Sequence, residues 1–149
     1  MNDLQEPEAM DTPAQHTQTL IRRYFDAFNQ GDQDGMLACL ADDVVHDVNQ
    51  GERREGKERF RAFLARMAHH YKESLDGITL MVSTDGARAA AEFNVTGNYL
   101  VTETGLPDAK GQRYALPGGT FFAVKDMRIT RVTTYYNLTE WIMQVSGDI

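Results

Sequence analysis

Residues 78–102, ITLMVSTDGARAAAEFNVTGNYLVT, decide the fold. Ile78, Leu80 and Val82 alternate with polar or outward positions, Thr84-Asp85-Gly86 reads as a turn, and the alternation resumes at Ala91, Phe93, Val95, Gly97 and Tyr99. A period of two sends successive side chains to opposite faces of a strand. The stretch therefore predicts a hairpin whose long second strand runs from Ala87 to Thr102. One face meets a core, and Glu92, Asn94, Thr96 and Asn98 occupy the other. Downstream the rhythm persists. Gly105-Leu106-Pro107 makes a loop, Gln112 to Val124 a strand, Lys125-Asp126 a turn, and Met127 to Tyr136 a last strand with Val132, Thr134 and Tyr136 inward. Gly97, Gly118 and Gly119 within these patterns predict the bends of a curved sheet.

Upstream the period changes to that of a helix. Leu20, Ile21, Tyr24, Phe25 and Phe28 share one face of a helix expected to start near Thr17 and stop at Asn29-Gln30-Gly31. Asp32 is placed to cap a short second helix with Met36, Leu37 and Leu40 inward, ended by Ala41-Asp42-Asp43. Val44 to Val48 is short and β-branched and precedes the turn-like Asn49-Gln50-Gly51, so it predicts a strand. Gly56 opens a third helix with Phe60, Phe63, Leu64, Met67 and Tyr71 on one face, and an amphipathic segment around Trp141, Ile142 and Val145 closes the chain. Helices first and an antiparallel meander afterwards is an α+β order, the sheet covered on one face by the helical layer. A strongly curved sheet wrapped on helices encloses a conical cavity.

The 149 residues predict one domain over 17–149, preceded by an acidic tail over 1–16. Four acids and no base lie in that tail, so of the net −7 the remaining chain carries −3. It has no basic face for tracking phosphates, which argues against nucleic acid as a partner. No run approaches the ~18 apolar residues of a membrane span, and the N-terminus lacks the basic and apolar regions of an export signal, so a cytoplasmic protein is expected. Cys39 is the only cysteine; between Leu37 and Leu40 it reads as a buried, inert thiol.

Three motifs carry a resemblance: Tyr24-Phe25-Asp26-Ala27-Phe28-Asn29-Gln30-Gly31-Asp32, Leu40-Ala41-Asp42-Asp43-Val44-Val45 and Gly56-Lys57-Glu58. Together they resemble the nuclear-transport-factor-2-like superfamily, in particular its ketosteroid isomerase-like and SnoaL-like members, over residues 17–145. VVHDVNQG at 44–51, LPGGTFF at 116–122 and TTYYNL at 133–138 are similar to the ketosteroid isomerase-related proteins. The resemblance implies a cone-shaped, mostly antiparallel sheet on three N-terminal helices. It also implies cofactor-independent proton transfer, of isomerase or cyclase type, on a small apolar ligand bearing a carbonyl or hydroxyl. In the isomerases an aspartate moves a proton beside the carbonyl while a tyrosine and a protonated aspartic acid hold the developing enolate.

Carried onto this chain, Tyr24 matches the oxyanion tyrosine, and the alternative is a core aromatic with its hydroxyl satisfied. The segment from Ala41 to Gly56 is one residue shorter than the isomerase pattern, so the base position falls on Asp47 or Val48. Strand alternation favours His46 on the inward face with Val44 and Val48, unless a bulge turns Asp47 inward. An inward histidine can serve as acid or base near neutral pH. Thr120 stands where the isomerases have their protonated acid, and a threonine is a weaker partner for an enolate; efficient steroid isomerisation is not expected. Phe28, Phe93, Tyr99, Thr120, Tyr136 and Asn137 are the expected pocket residues, Asn137 standing where many SnoaL-like sequences carry an acid. The resemblance further implies a homodimer paired through the outer sheet face. A non-catalytic ligand-binding or interaction domain of the same fold is the alternative.

Other signals carry less. His69 and His70 point about 100° apart on a helix and do not converge on a metal. Asp42, Asp43, Asp47 and Asn49 fit no calcium-loop spacing. The glycines form neither a phosphate loop nor a dinucleotide fingerprint, so no cofactor and no metal are expected.

Overall fold

A computed structural model describes residues 11–49 and 51–147. Residues 1–10 of the expected tail, and Gln50 of the expected turn, lie outside the described residues.

Helix α1 (Pro13–Gln30) starts four residues before Thr17, which moves the expected tail boundary back. The cause is local. Thr12 accepts from the Gln15 amide at 3.2 Å, the Gln15 side chain accepts from the Thr12 amide at 2.7 Å, and Pro13 fills a first-turn position that needs no donor. Gly31, with φ +72°, ends the helix in the left-handed region. Asp32 then caps α2 (Gln33–Ala38) by accepting from the Gly35 amide at 2.9 Å. Helix α3 (Lys57–His70) ends one residue before Tyr71, which is extended and opens a strand; the expectation that Tyr71 belongs to the helix is corrected. The C-terminal segment is a fourth helix, α4 (Leu138–Ser146).

Six strands follow the sheet order β2-β1-β6-β5-β4-β3. They are β1 (Leu40–Asp47), β2 (Arg53–Glu55), β3 (Tyr71–Val82), β4 (Arg88–Tyr99), β5 (Arg113–Lys125) and β6 (Arg128–Tyr136). β1 begins at Leu40, so residues 41–43 are strand and not the end of a helix; a register shift between Leu40 and Val45 absorbs them. β3 likewise reaches back to Tyr71, bulged between Asp76 and Thr79 around Gly77 at φ +63°. Met127 belongs to the β5–β6 turn, not the strand: it and Asp126 both have positive φ, as a tight two-residue hairpin requires. All neighbours are antiparallel except β1 and β6, which run parallel.

The sheet curves over the helices as the α+β reading expects. Two amides fasten the layers by mimicking peptide partners. Asn29 of α1 pairs with both backbone groups of Leu75 on β3 at 2.8 and 2.9 Å, and Gln144 of α4 does the same to Ala115 on β5 at 2.9 Å each. One core lies under α1, α2 and α3 around Ile21, Phe25, Val44 and Phe122. Fully burying a side chain of this size contributes about 1.5–3 kcal/mol. A second cluster of Tyr71, Tyr99, Tyr114, Leu116, Trp141 and Val145 lies under α4.

Candidate functional site

Between the two clusters is a cavity of about 600 Å³, within the usual size of a small-molecule site. Its wall is mostly aromatic and aliphatic, with polar groups gathered at two ends.

At one end, His46, Val132 and Phe122 form a cross-strand row on β1, β6 and β5. Two strand spacings put His46 and Phe122 roughly 10 Å apart at Cα. Tyr24 from α1 meets Phe122 edge-on at 5.6 Å between ring centroids. His46 is wrapped by Phe60 and Phe63 of α3, at 4.4 and 4.5 Å. Its Nδ1 is enclosed without a hydrogen-bond partner, which leaves Nε2 as the nitrogen available to a ligand. Burial, with Arg54 nearby, pushes this ring down to about 4 against a weaker upward pull from Asp47. His46 is therefore uncharged at neutral pH. Burial also raises the Tyr24 hydroxyl, so it stays a protonated donor. One row along, Thr120 and Thr134 share a hydrogen bond at 3.0 Å.

Strand alternation places His46 and Asp47 on opposite faces. Val44 and His46 are buried and Val48 lines the cavity, whereas Asp47 turns to the other face. There it accepts from Arg53 at 2.7 and 3.1 Å and from Thr133 at 2.8 Å. These bonds hold its carboxyl below the usual carboxylate range. Asp47 is thus outside the cavity, and the bulge that would have turned it inward lies earlier in the strand.

Phe28, Phe93, Thr120 and Tyr136 line the cavity as expected, and two other expected residues do not. Tyr99 is fully buried behind Tyr71, stacked at 5.4 Å, with its hydroxyl donating to the Pro107 carbonyl at 2.6 Å and accepting from the Glu103 amide at 3.0 Å. Asn137 accepts from the Glu140 amide at 3.0 Å and so serves as the N-cap of α4. His69 and His70 pack ring against ring at 4.9 Å, and His70 Nδ1 lies 2.8 Å from the Val101 carbonyl. Cys39 is buried, and burial raises its thiol.

The opposite end was not visible in the sequence reading. Tyr114 donates to Glu73 and Tyr71 to Glu103, both at 2.5 Å, and Trp141 closes over them. Burial pushes the Glu73 carboxyl up, although the Tyr114 bond opposes it. Tyr136 sits between the ends, its hydroxyl raised by burial and by Glu73 and Glu103, with Asn49 beside it pulling the other way. Asn49 Nδ2 is itself enclosed without a well-aligned partner. Tyr71, Glu73 and Leu75 do alternate, so a strand signal was present. A glutamate next to Lys72 and Ser74 nevertheless reads as surface.

The cavity is bounded by a bent mixed sheet and four helices. Residues 21–132 match the SnoaL-like domain family. The chain belongs to that family. This SnoaL-like chain is similar to a provisionally named polyketide cyclase of Xanthomonas campestris pv. campestris. The two share 52% identity over 90% of this chain and 99% of that one, with a TM-score of 0.88. It is also similar to another so named from Silicibacter sp. TM1040, at 57% identity over 89% and 97%, TM-score 0.87. A nuclear-transport-factor-2-like protein of unknown function from Burkholderia pseudomallei K96243 shares the fold at 18% identity, 89% and 98% coverage and a TM-score of 0.75. Among the described residues, no helix is long and apolar enough to cross a membrane.

Proposed function

We propose that this SnoaL-like domain is a cofactor-independent isomerase or cyclase that moves a proton next to a carbonyl of a small apolar ligand held in the cavity. The observation that carries the reading is a buried His46, its Nδ1 unpartnered, lining the same mostly apolar cavity of about 600 Å³ as Tyr24, whose ring packs on Phe122 in the cross-strand row of His46. Tyr24 donates to the carbonyl oxygen as negative charge develops there, an interaction whose loss typically costs 10²–10³ in rate. His46 takes the proton from the adjacent carbon at Nε2 and returns it. Accepting at Nε2 puts the other ring proton on Nδ1, where no acceptor waits, consistent with weak proton affinity and easy return. The names of the relatives at 52% and 57% identity point to a polyketide as the ligand class, for which a polycyclic ketone can stand in.

Exchange of the α-protons of tricyclic ketones in D2O, followed by NMR, tests the chemistry without the natural substrate. Catalysed exchange is expected, slowed about 10²-fold or more by Tyr24→Phe and by His46→Ala. Asp47→Asn, on the outer face, should leave it nearly unchanged. Ketone binding with no exchange above the buffer rate would instead favour a ligand-binding domain. The reading also has two copies pairing through the outer sheet face, where Met81, Phe121 and Tyr135 are exposed. Sedimentation equilibrium should give twice the chain mass, and Phe121→Glu should return one; a wild-type monomer at tens of micromolar (about the usual assay range) rejects the pairing.

A further inference from the structure

The cavity holds a polar group that this chemistry leaves unused. Glu73 on β3, Gly97 on β4 and Tyr114 on β5 stand opposite one another in adjacent strands. The Tyr114 hydroxyl reaches Glu73 Oε2 at 2.5 Å directly over the bare Gly97 backbone. A Cβ at Gly97 would lie 2.5 Å from that hydroxyl and 2.8 Å from Glu73 Cγ, so the pair exists only because position 97 has no side chain. Among the described residues Glu73 makes no ion pair and takes no second side-chain hydrogen bond. Nearby Glu103 differs: Arg66 sits 3.6 Å from it and Tyr71 donates to it.

An unmatched carboxylate is costly to hold in such surroundings, and burial accordingly favours the neutral acid at Glu73. A neutral carboxyl with one oxygen already engaged has its other oxygen left for a partner in the cavity. A cationic ligand would require the ionised form that burial opposes. An uncharged hydroxyl does not. Between this end and His46 lie the hydrogen-bonded Thr120 and Thr134 and the neighbouring side chains of Asn49 and Tyr136, a broken polar line along a mostly apolar wall.

We infer that Glu73, fixed by Tyr114 across Gly97, is a second ligand anchor, and that the ligand is an elongated, uncharged, mainly apolar molecule with a hydroxyl at the end remote from the carbonyl that Tyr24 meets. The inference rests on the cavity being the ligand site proposed above. A site built to bond a hydroxyl discriminates strongly against the analogue that lacks it, because its own polar group is then left unpaired.

The test uses 1-oxo-1,2,3,4-tetrahydrophenanthrene and its 7-hydroxy derivative, with binding read from quenching of Trp141, the chain's one tryptophan and a neighbour of Tyr114 at 5.8 Å. Wild type should bind the hydroxy ketone about 10-fold or more tighter than the parent, a preference in line with one good hydrogen bond. Glu73→Leu should bring that ratio to about 1 while the parent ketone still binds, which shows at once that the cavity has folded. Tyr114→Phe, which frees Glu73 to move, should lower the ratio less. Equal loss of both ligands in Glu73→Leu, no preference in wild type, or no quenching by either ketone would overturn the inference. A preference that depends on Glu73 without any α-proton exchange keeps the anchor and rejects the catalytic reading; exchange with no such preference does the reverse.

Discussion

The two ends of the cavity meet the same physical pressure and shift in opposite directions under it. At His46, aromatic walls expel a proton and leave a neutral base. At Glu73, burial raises the carboxyl above its ordinary range and so favours the protonated acid. In both places desolvation penalises the charged form. The charged pairs nearby are those that have partners: Asp47 with Arg53 on the outer face and Glu103 with Arg66 at the rim of the second cluster. The difference teaches that burial works against charge at both ends of a cavity whose wall carries two histidines, two glutamates and several tyrosines.

The largest expected effect separates the ends by pH. The His46 ring falls from an ordinary 6.5 to about 4 on folding, so below 6.5 the unfolded chain binds the extra proton. Stability is then full above 6.5 and is lost as the pH falls from 6.5 toward 4, by an amount of order 3 kcal/mol. Urea unfolding across this range should show that slope in wild type and a flatter one in His46→Leu. Identical slopes would mean that His46 is not held neutral. A second comparison bears on the Glu73 end alone: Gly97→Ala forces a Cβ into the Tyr114 and Glu73 side chains and should cost about 1–3 kcal/mol in the same measurement. The smallest effect has the opposite sign to that of His46. Glu73 holds its proton more tightly when folded, so its contribution is full below 4.5 and declines as the pH rises through the raised folded value. Glu73→Gln should therefore gain on wild type more at pH 8 than at about pH 5, since only wild type must then ionise a buried group. An equal difference at both values would place Glu73 in contact with water.

Much of the fold was legible because period and punctuation agreed. The inward set Val44, His46 and Val48 and the stop at Gly31 follow from local rules, and the structure keeps both. Boundaries failed where local rules compete. Thr12 and Gln15 extend α1 backward through a reciprocal cap, and Tyr71 leaves its helix because it stacks on Tyr99 across β3 and β4. In the cavity, alternation favoured His46 unless a bulge turned Asp47 inward, and the strand keeps its alternation there. The Glu73 end stayed hidden because it depends on residues 24 and 41 positions apart in the chain meeting over a glycine. Tyr99 and Asn137 were misjudged for a related reason: a residue on the inward strand face or beside a family position can be consumed by a loop carbonyl or a helix cap.

The parallel pairing of β1 with β6 also orders events in time. Asp47 takes its bond from Thr133 across 86 positions, and His46 stands opposite Val132. During synthesis, β1 and the short β2 have no sheet to join until nearly the whole chain has emerged. The hairpins from β3 to β6 close over short loops first, whereas the strand bearing His46 waits for the longest loop in the sheet. Loop closure therefore predicts that the wall bearing the proposed base forms last, so in refolding a probe at Glu73 should report before one at His46.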